Sequence, residues 1–388
     1  MKEFIRAITL ILFSAAIAFS EDTYRSEMGK ANEALGKKDY QAYLSHMKRA
    51  VELEPDKVSR PFYQYALARA YAYNDQLPKS LETLETLYNE GIEAPMIFIA
   101  VEDPAFKKFL NDPAFQKLQK KNETHTITLT SVKGNIYMIE GAGCFLAASI
   151  GNDGVLLVDS GYPQLNAQII SALNAKSGNK PVRRIINTHE HMDHVGGNAA
   201  MRKDAVVIAH ANVRSAITKP SEYFSDFSVQ GMPENQWPDL VFDDELSLFF
   251  NGEEIRVIGL PAHSEGDSIV YFANSHVLHM GDNYFPGGPR YLYPGTHIKE
   301  YFDVFGPFIK TLPNDATVMS GHAKPVPIAD LRAIYNKTES MYSFVQNQIQ
   351  QGKNFEESKS LAEKDGYPAD WLEFYFKNLT KNKTEENQ

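Results

Sequence analysis

The chain has 388 residues, 43% apolar and 12% aromatic, enough for two or three domains with a sizeable core. Its net charge of -10 argues against a nucleic-acid surface, which needs a basic footprint, and its single cysteine excludes an intramolecular disulfide. Small substrates stay open, because bound dications reverse the local potential.

Lys2 and Arg6 precede an apolar run from Ala7 to Phe19, and Ala18-Phe19-Ser20 ends it with small residues where a signal peptidase reads. Residues 1–20 therefore predict a secretory signal and a periplasmic address, with extracellular release as the alternative. The run is short for a bilayer and polar EDTYRSE follows it, so no stable membrane span is expected after cleavage.

Residues 21–122 predict a helical domain, with apolar residues at three- and four-residue intervals and Pro or Gly at the ends of units. The stretch Leu35 to Tyr40, and then Tyr65, Ala68, Tyr71 and Ala72, resemble parts of two tetratricopeptide-like units. Asp103-Pro104 and Asp112-Pro113 predict two short helices with aspartate caps. Structural support and recruitment of a protein partner, or self-association, are both open for this region.

The periodicity changes after Asn122. Short strand-like runs, then helix 163–176, strand 182–187, strands near 254–259, 268–273 and 276–280, a helix near 298–311 and a strand at 316–320 predict an α/β domain over 123–328. Residues 329–388 predict a C-terminal helical extension and polar tail, a second surface for a partner or another copy.

Strand 182–187 runs into Thr188-His189-Glu190-His191-Met192-Asp193-His194. Three imidazoles and a carboxylate at the carboxyl end of a strand suit zinc, and iron or manganese can use the same donors. His263, Asp282 and His322 each follow an apolar segment beside a small or turn-forming residue. Cys144 reads as a buried thiol, and Ser264 as a turn residue.

With the full pattern His-x-His-x-Asp-His followed by His, Asp and His in order, residues 123–328 resemble the metallo-β-lactamase superfamily. The resemblance implies a four-layer αβ/βα sandwich and two zinc ions. It implies His189, His191 and His263 on one ion, Asp193, His194 and His322 on the other, and Asp282 bridging. Asp193 would also be catalytic, steering the nucleophile or passing a proton to the leaving group. Asp159 matches the family's strand-end aspartate, expected to accept a hydrogen bond from a ligand imidazole, or else to cap the following helix.

Asp282 shifts the expected reaction. The resemblance places this carboxylate in thioesterase, lactonase and phosphodiesterase branches rather than in β-lactamases. Hydrolysis of an ester, thioester or lactone by a metal-bridging hydroxide is the leading expectation, with a small-molecule substrate. The alternatives are β-lactamase or phosphodiesterase activity, or a non-enzymatic helical-repeat binding or assembly protein. Asn283, Tyr284, Arg290, Tyr291 and Tyr293, just after the bridging aspartate, are candidate substrate contacts, and segment 224–242 is a candidate lid.

Overall fold

The computed structural model describes residues 24–53, 60–89, 100–120, 126–284 and 298–367, with 372–373, 375–376 and 379–380. The expected signal segment and Arg290, Tyr291 and Tyr293 lie outside the described residues. No helix among the described residues is long and apolar enough to cross a membrane. The chain forms two compact units, one of residues 1–121 with Glu222–Ser228 and the other of Asn122–Ser221 with Val229–Gln388.

In the first unit, α1 (Tyr24–Gly36) and α2 (Tyr40–Leu53) are joined by a tight turn, and α3 (Arg60–Tyr73) and α4 (Leu77–Asn89) form a second pair. Tyr43, Leu44, Met47 and Ala50 of α2 are buried at helical spacing, one face of the helix. The two Asp-Pro pairs start a 3-10 turn at Pro104–Phe109 and α5 (Pro113–Lys120), and Asp103 accepts from Ala105 N–H.

A buried ion cluster ties this unit together. The Arg69 side chain is fully buried; its Nε donates to Asp103 and its Nη2 to Asp226, each at 2.7 Å. Its guanidinium also lies 3.8 Å from the Phe224 ring centroid. Phe224 and Asp226 come from the hairpin of β7 (Ser221–Phe224) and β8 (Phe227–Val229), which the sequence does not predict because its strands are so short. Removing one partner of a buried pair leaves an uncompensated charge, so Asp103→Ala is expected to destabilise this unit by about 3–5 kcal/mol. Denaturant unfolding followed by helical circular dichroism measures this, and an unchanged midpoint would contradict it.

The second unit is the mixed α/β sandwich, with helices outside two sheets. The first sheet runs β1 (Thr128–Lys133), β2 (Ile136–Glu140), β3 (Leu146–Gly151), β4 (Gly154–Val158), β5 (Val182–Asn187), β6 (Val206–His210) and β9 (Leu240–Phe242). Strands β4, β5, β6 and β9 are parallel and the others antiparallel. The second sheet takes β10 (Glu245–Phe250), β11 (Glu253–Gly259), β12 (Ser268–Phe272), β13 (Val277–His279), β14 (Thr317–Met319) and β15 (Val326–Pro327) in chain order. Its one parallel pair is β13 with β14.

Central strands read as unbroken apolar runs because both faces are covered: every residue of β4 (GVLLV) and β12 (SIVYF) is buried. Met138, Leu156, Val158, Ile186 and Ile208 of the first sheet meet Val257, Val270, Phe272 and Met319 of the second in one core. Each such side chain contributes about 1.5–3 kcal/mol by leaving water. Helix α6 (Asn166–Ser177) buries Ile169 and Leu173, and its Lys176 ammonium sits 4.5 Å from the Tyr137 ring of the first sheet. On the other side, Tyr271 and Leu278 pack with Phe305 and Ile309 of α7 (Ile298–Thr311) and with Leu331, Tyr335 and Val345 of α8 (Ile328–Gln350). The C-terminal helices thus cover the outer face of the second sheet.

Candidate metal centre

The chemistry-bearing side chains follow the carboxyl ends of five strands. Asp159 follows β4, the cluster from His189 to His194 follows β5, His263 follows β11, Asp282 follows β13 and His322 follows β14. Parallel strands lift these ends to one edge, where loops are free to converge. Backbone bonds stitch that edge: Ser268 N–H donates to Thr188 O at 2.8 Å, Gly321 N–H to Gly281 O at 2.8 Å and Phe145 N–H to Gly321 O at 2.6 Å.

Two groups of donors share Asp282. His189, His191, His263 and Asp282 form one, and His194, Asp282 and His322 form another, each with ligand atoms within 4.8 Å of one another. In the first group His191 Nδ1 lies 3.0 Å from His189 Nε2 and 3.1 Å from His263 Nε2. Asp282 Oδ2 lies 3.7 Å from His189 Nε2 and 3.6 Å from His263 Nε2. Beside the second, Asp193 Oδ2 is 3.4 Å from His194 Nε2 and 3.2 Å from His322 Nε2. Asp282 Oδ1 is 3.4 Å from His194 Nε2, and its Oδ2 is 3.2 Å from His322 Nε2.

The donor set fits a metal. A tetrahedron with edges of this length has its centre about 2.0 Å from each corner, the distance of zinc from nitrogen and oxygen ligands. Both His194 Nε2 and Asp282 Oδ1 are buried without a hydrogen-bond partner. Such atoms are costly unless something else satisfies them. The space is kept by Gly321, where a Cβ would stand 2.2 Å from Asp282 Oδ1 and 2.8 Å from His194 Cε1.

Electrostatics favour positive charge at His194 and neutral rings opposite. Burial works against the charged form of His194, but Cys144, Asp193, Asp282 and Asp159 outweigh it and hold the imidazole well above its ordinary range. Burial also opposes ionisation of Asp282, yet His322 and His194 keep the carboxylate well below the usual value. His189 and His263 are pushed down, first by burial, His263 to about 3, so both present neutral rings. A neutral imidazole is the form that ligates.

Asp159 orients two of the rings. Its Oδ2 accepts from His194 Nδ1 at 2.8 Å and from Thr188 Oγ1 at 2.9 Å, while Thr188 N–H donates to Oδ1 at 2.7 Å. With its proton on Asp159, Thr188 Oγ1 accepts from His189 Nδ1 at 3.1 Å. These bonds hold the Nδ1 proton of both imidazoles and turn Nε2, the nitrogen that would ligate, towards the centre. Asp159 caps no helix: the next turn begins after Tyr162, and α6 after Leu165. Its backbone is left-handed at φ 65°, a conformation aspartate tolerates better than most residues. Asp159→Asn is expected to lower metal affinity or turnover about 10–100-fold, as loss of such partners does elsewhere. Equilibrium metal competition checks this, and parent-like affinity and rate together would refute it.

Of the candidate substrate contacts, Asn283 supports the centre from behind, accepting from His263 N–H through Oδ1 at 3.2 Å. Tyr284 is only 4% exposed and packs in the core with Met280 and Tyr301. Within the candidate lid, residues 222–228 belong to the helical unit. Trp237 is a packing residue, its Nε1 donating to Met232 O at 2.7 Å beneath the Arg214 guanidinium.

Several contributors escaped the sequence reading. Asp267 accepts from Ala262, His263 and Ser264 N–H at 3.2, 2.5 and 2.5 Å, gripping the turn that presents His263. Ser264, which the sequence does mark as a turn residue, donates from Oγ to Asp267 and Glu190 at 3.1 and 2.9 Å. An aspartate closing a Ser-x-Gly turn after a candidate ligand was the available signal. His279 holds the Asp282 turn, accepting from Gly281 N–H on Nδ1 and donating from Nε2 to Phe145 O, each at 3.1 Å.

The chain is 32% identical over 170 residues to the 2,4-dinitroanisole O-demethylase subunit alpha of Nocardioides sp. (strain JS1661), covering 43% of this chain and 48% of that one. It is 27% identical over 173 residues to a hydroxyacylglutathione hydrolase of Prochlorococcus marinus (strain MIT 9301), covering 43% and 60%. The chain thus spans less than two thirds of the length of either relative. Among solved structures, a metallo-beta-lactamase from Pontibacter korlensis is 16% identical with a TM-score of 0.42, covering 53% of this chain and 96% of that one. The sequence profile described as the metallo-beta-lactamase superfamily matches residues 131–324. That span is half of the chain and holds every donor of the centre, so this protein belongs to the metallo-beta-lactamase superfamily.

Proposed function

We propose that the protein is a dinuclear zinc hydrolase of a small ester, thioester or lactone. The observation that carries this reading is the Asp282 carboxylate, which lies within 3.7 Å of His189 Nε2 and within 3.4 Å of His194 Nε2, and so is shared by both donor groups. His189, His191 and His263 would hold one ion and Asp193, His194 and His322 the other. When bound, such a pair supplies Lewis acidity and a water nucleophile ionised near neutral pH.

The chain's own residues do the rest. Asp159 and Thr188 fix two ring tautomers, and Asp267 fixes the His263 turn. Burial opposes ionisation of Asp193, but His194 and His322 hold its carboxylate well below the usual range, so it stays ionised and able to face a cation. We assign Asp193 the task of orienting the attacking water and returning a proton to the leaving group. No serine or cysteine nucleophile is required.

The shared carboxylate weighs against a β-lactam substrate, and the several hydroxyacylglutathione hydrolases among the relatives favour the thioester and carbonyl-ester class over the phosphodiester. The proposal includes export, supported by Lys2, Arg6 and the apolar run to Phe19, and cell fractionation tests it. The reaction is tested by initial rates of the zinc-loaded protein on matched lactone, thioester, aryl ester, phosphodiester, cephalosporin and electron-poor aryl methyl ether substrates. A preference for the first three that vanishes in Asp282→Ala supports the proposal. A preference for the phosphodiester, cephalosporin or ether replaces the substrate class, and negligible rates on all point to a binding or assembly role.

A further inference from the structure

Cys144 stands in the loop between β2 and β3, fully buried, and its thiol donates to the backbone oxygen of Asp193 at 3.1 Å. Its Sγ, a carboxylate oxygen of Asp193 and a ring nitrogen of His194 lie within 4.8 Å of one another, and all three residues are buried. Two backbone bonds hold the loop in place, Tyr162 N–H to Ala142 O at 3.0 Å and Phe145 N–H to Gly321 O at 2.6 Å. A second observation points to a ligand. His194 Nε2 is buried with no hydrogen-bond partner, while Nδ1 of the same ring is taken by Asp159. A ring nitrogen grouped with a carboxylate and a sulfur is a cation-binding arrangement. Sulfur also selects among cations, since thiolates favour soft or borderline ions, whereas carboxylates and water suit magnesium and manganese.

We propose that Cys144 is a sulfur ligand on the Asp193–His194 side of the centre, which there takes a thiophilic dication such as zinc or cadmium in preference to magnesium or manganese. The proposal rests on the dinuclear hydrolase reading, because Asp193 and His194 are shared with it. On binding, the S–H bond breaks as the sulfur–metal bond forms, the proton leaves to bulk water, and Asp193 O loses its thiol donor. No oxidation or reduction is involved.

The test is a cadmium titration of the chelator-stripped, reduced full chain, following ultraviolet absorbance from sulfur-to-cadmium charge transfer and counting bound cadmium by elemental analysis. Cys144 is the only cysteine, so any such band reports this residue alone. The expected result is a band that grows to saturation in the parent, is absent with magnesium, and is lost in Cys144→Ser while cadmium still binds the histidine group. If Cys144→Ser fails to fold, the parent titration alone decides. Cadmium bound stoichiometrically without the band overturns the sulfur ligand and leaves the hydrolase reading standing. No bound cadmium, zinc or manganese at all overturns both.

Discussion

Asp282→Ala is expected to reduce hydrolysis at least about 1,000-fold and to lower the bound metal by one equivalent or more, because it removes a donor common to both groups. Its carboxylate is 4% exposed and faces four imidazole nitrogens between 3.2 and 3.7 Å away. Without it those rings confront one another across a buried space with less negative charge to balance a cation. Steady-state rates, elemental analysis and thermal unfolding should be read together, since a bound metal also stabilises the fold. Asp282→Asn keeps the shape and removes the charge, and should remain folded while losing most of the rate. A variant that keeps parent-like turnover with metal fully bound would remove Asp282 from the mechanism.

Gly321→Ala should be nearly as damaging although it adds one methyl group. The new Cβ would meet Asp282 Oδ1 at 2.2 Å and His194 Cε1 at 2.8 Å, distances that require one of them to move. Neither has free room, as His194 is tied to Asp159 and Asp282 stands in the turn held by His279. Displacing a reacting group by about 1 Å costs on the order of 100-fold in rate. The expected result is therefore about a 100-fold loss of turnover and weaker binding in the Asp193–His194–His322 group, while His189, His191 and His263 keep their affinity. Metal competition resolving two affinities would show this; parent-like values for both would mean that the loop yields freely.

The first half of the centre is legible in the sequence because it is local. His189, His191, Asp193 and His194 fall within six residues after one strand, so short-range geometry alone groups them. The strand-end aspartate and the later His263, Asp282 and His322 are legible as an ordered set, and the sandwich fold follows from the family likeness that set carries. The hairpin at 221–229 and the strands β9 and β10 were not read. Strands of three or four residues give too few alternations to register, although ELSLFF at 245–250 does alternate, leaving Phe249 78% exposed on an edge strand.

The sequence by itself determined the chemical type of this protein: an acidic, single-cysteine chain with a helical region before an α/β domain that carries a histidine–aspartate metal signature. Tertiary structure decided which residues make that signature a centre. Asp282 lies 93 positions beyond His189, Gly321 meets His194 from 127 positions away, and Cys144 reaches Asp193 across 49, separations that no local pattern encodes. Tyr284 shows the same limit, since nothing local tells that the residue two positions after Asp282 packs in the core. The physical reason is common to all four. Local spacing specifies the direction in which a side chain leaves its own strand, whereas the packing of two sheets specifies what it meets there.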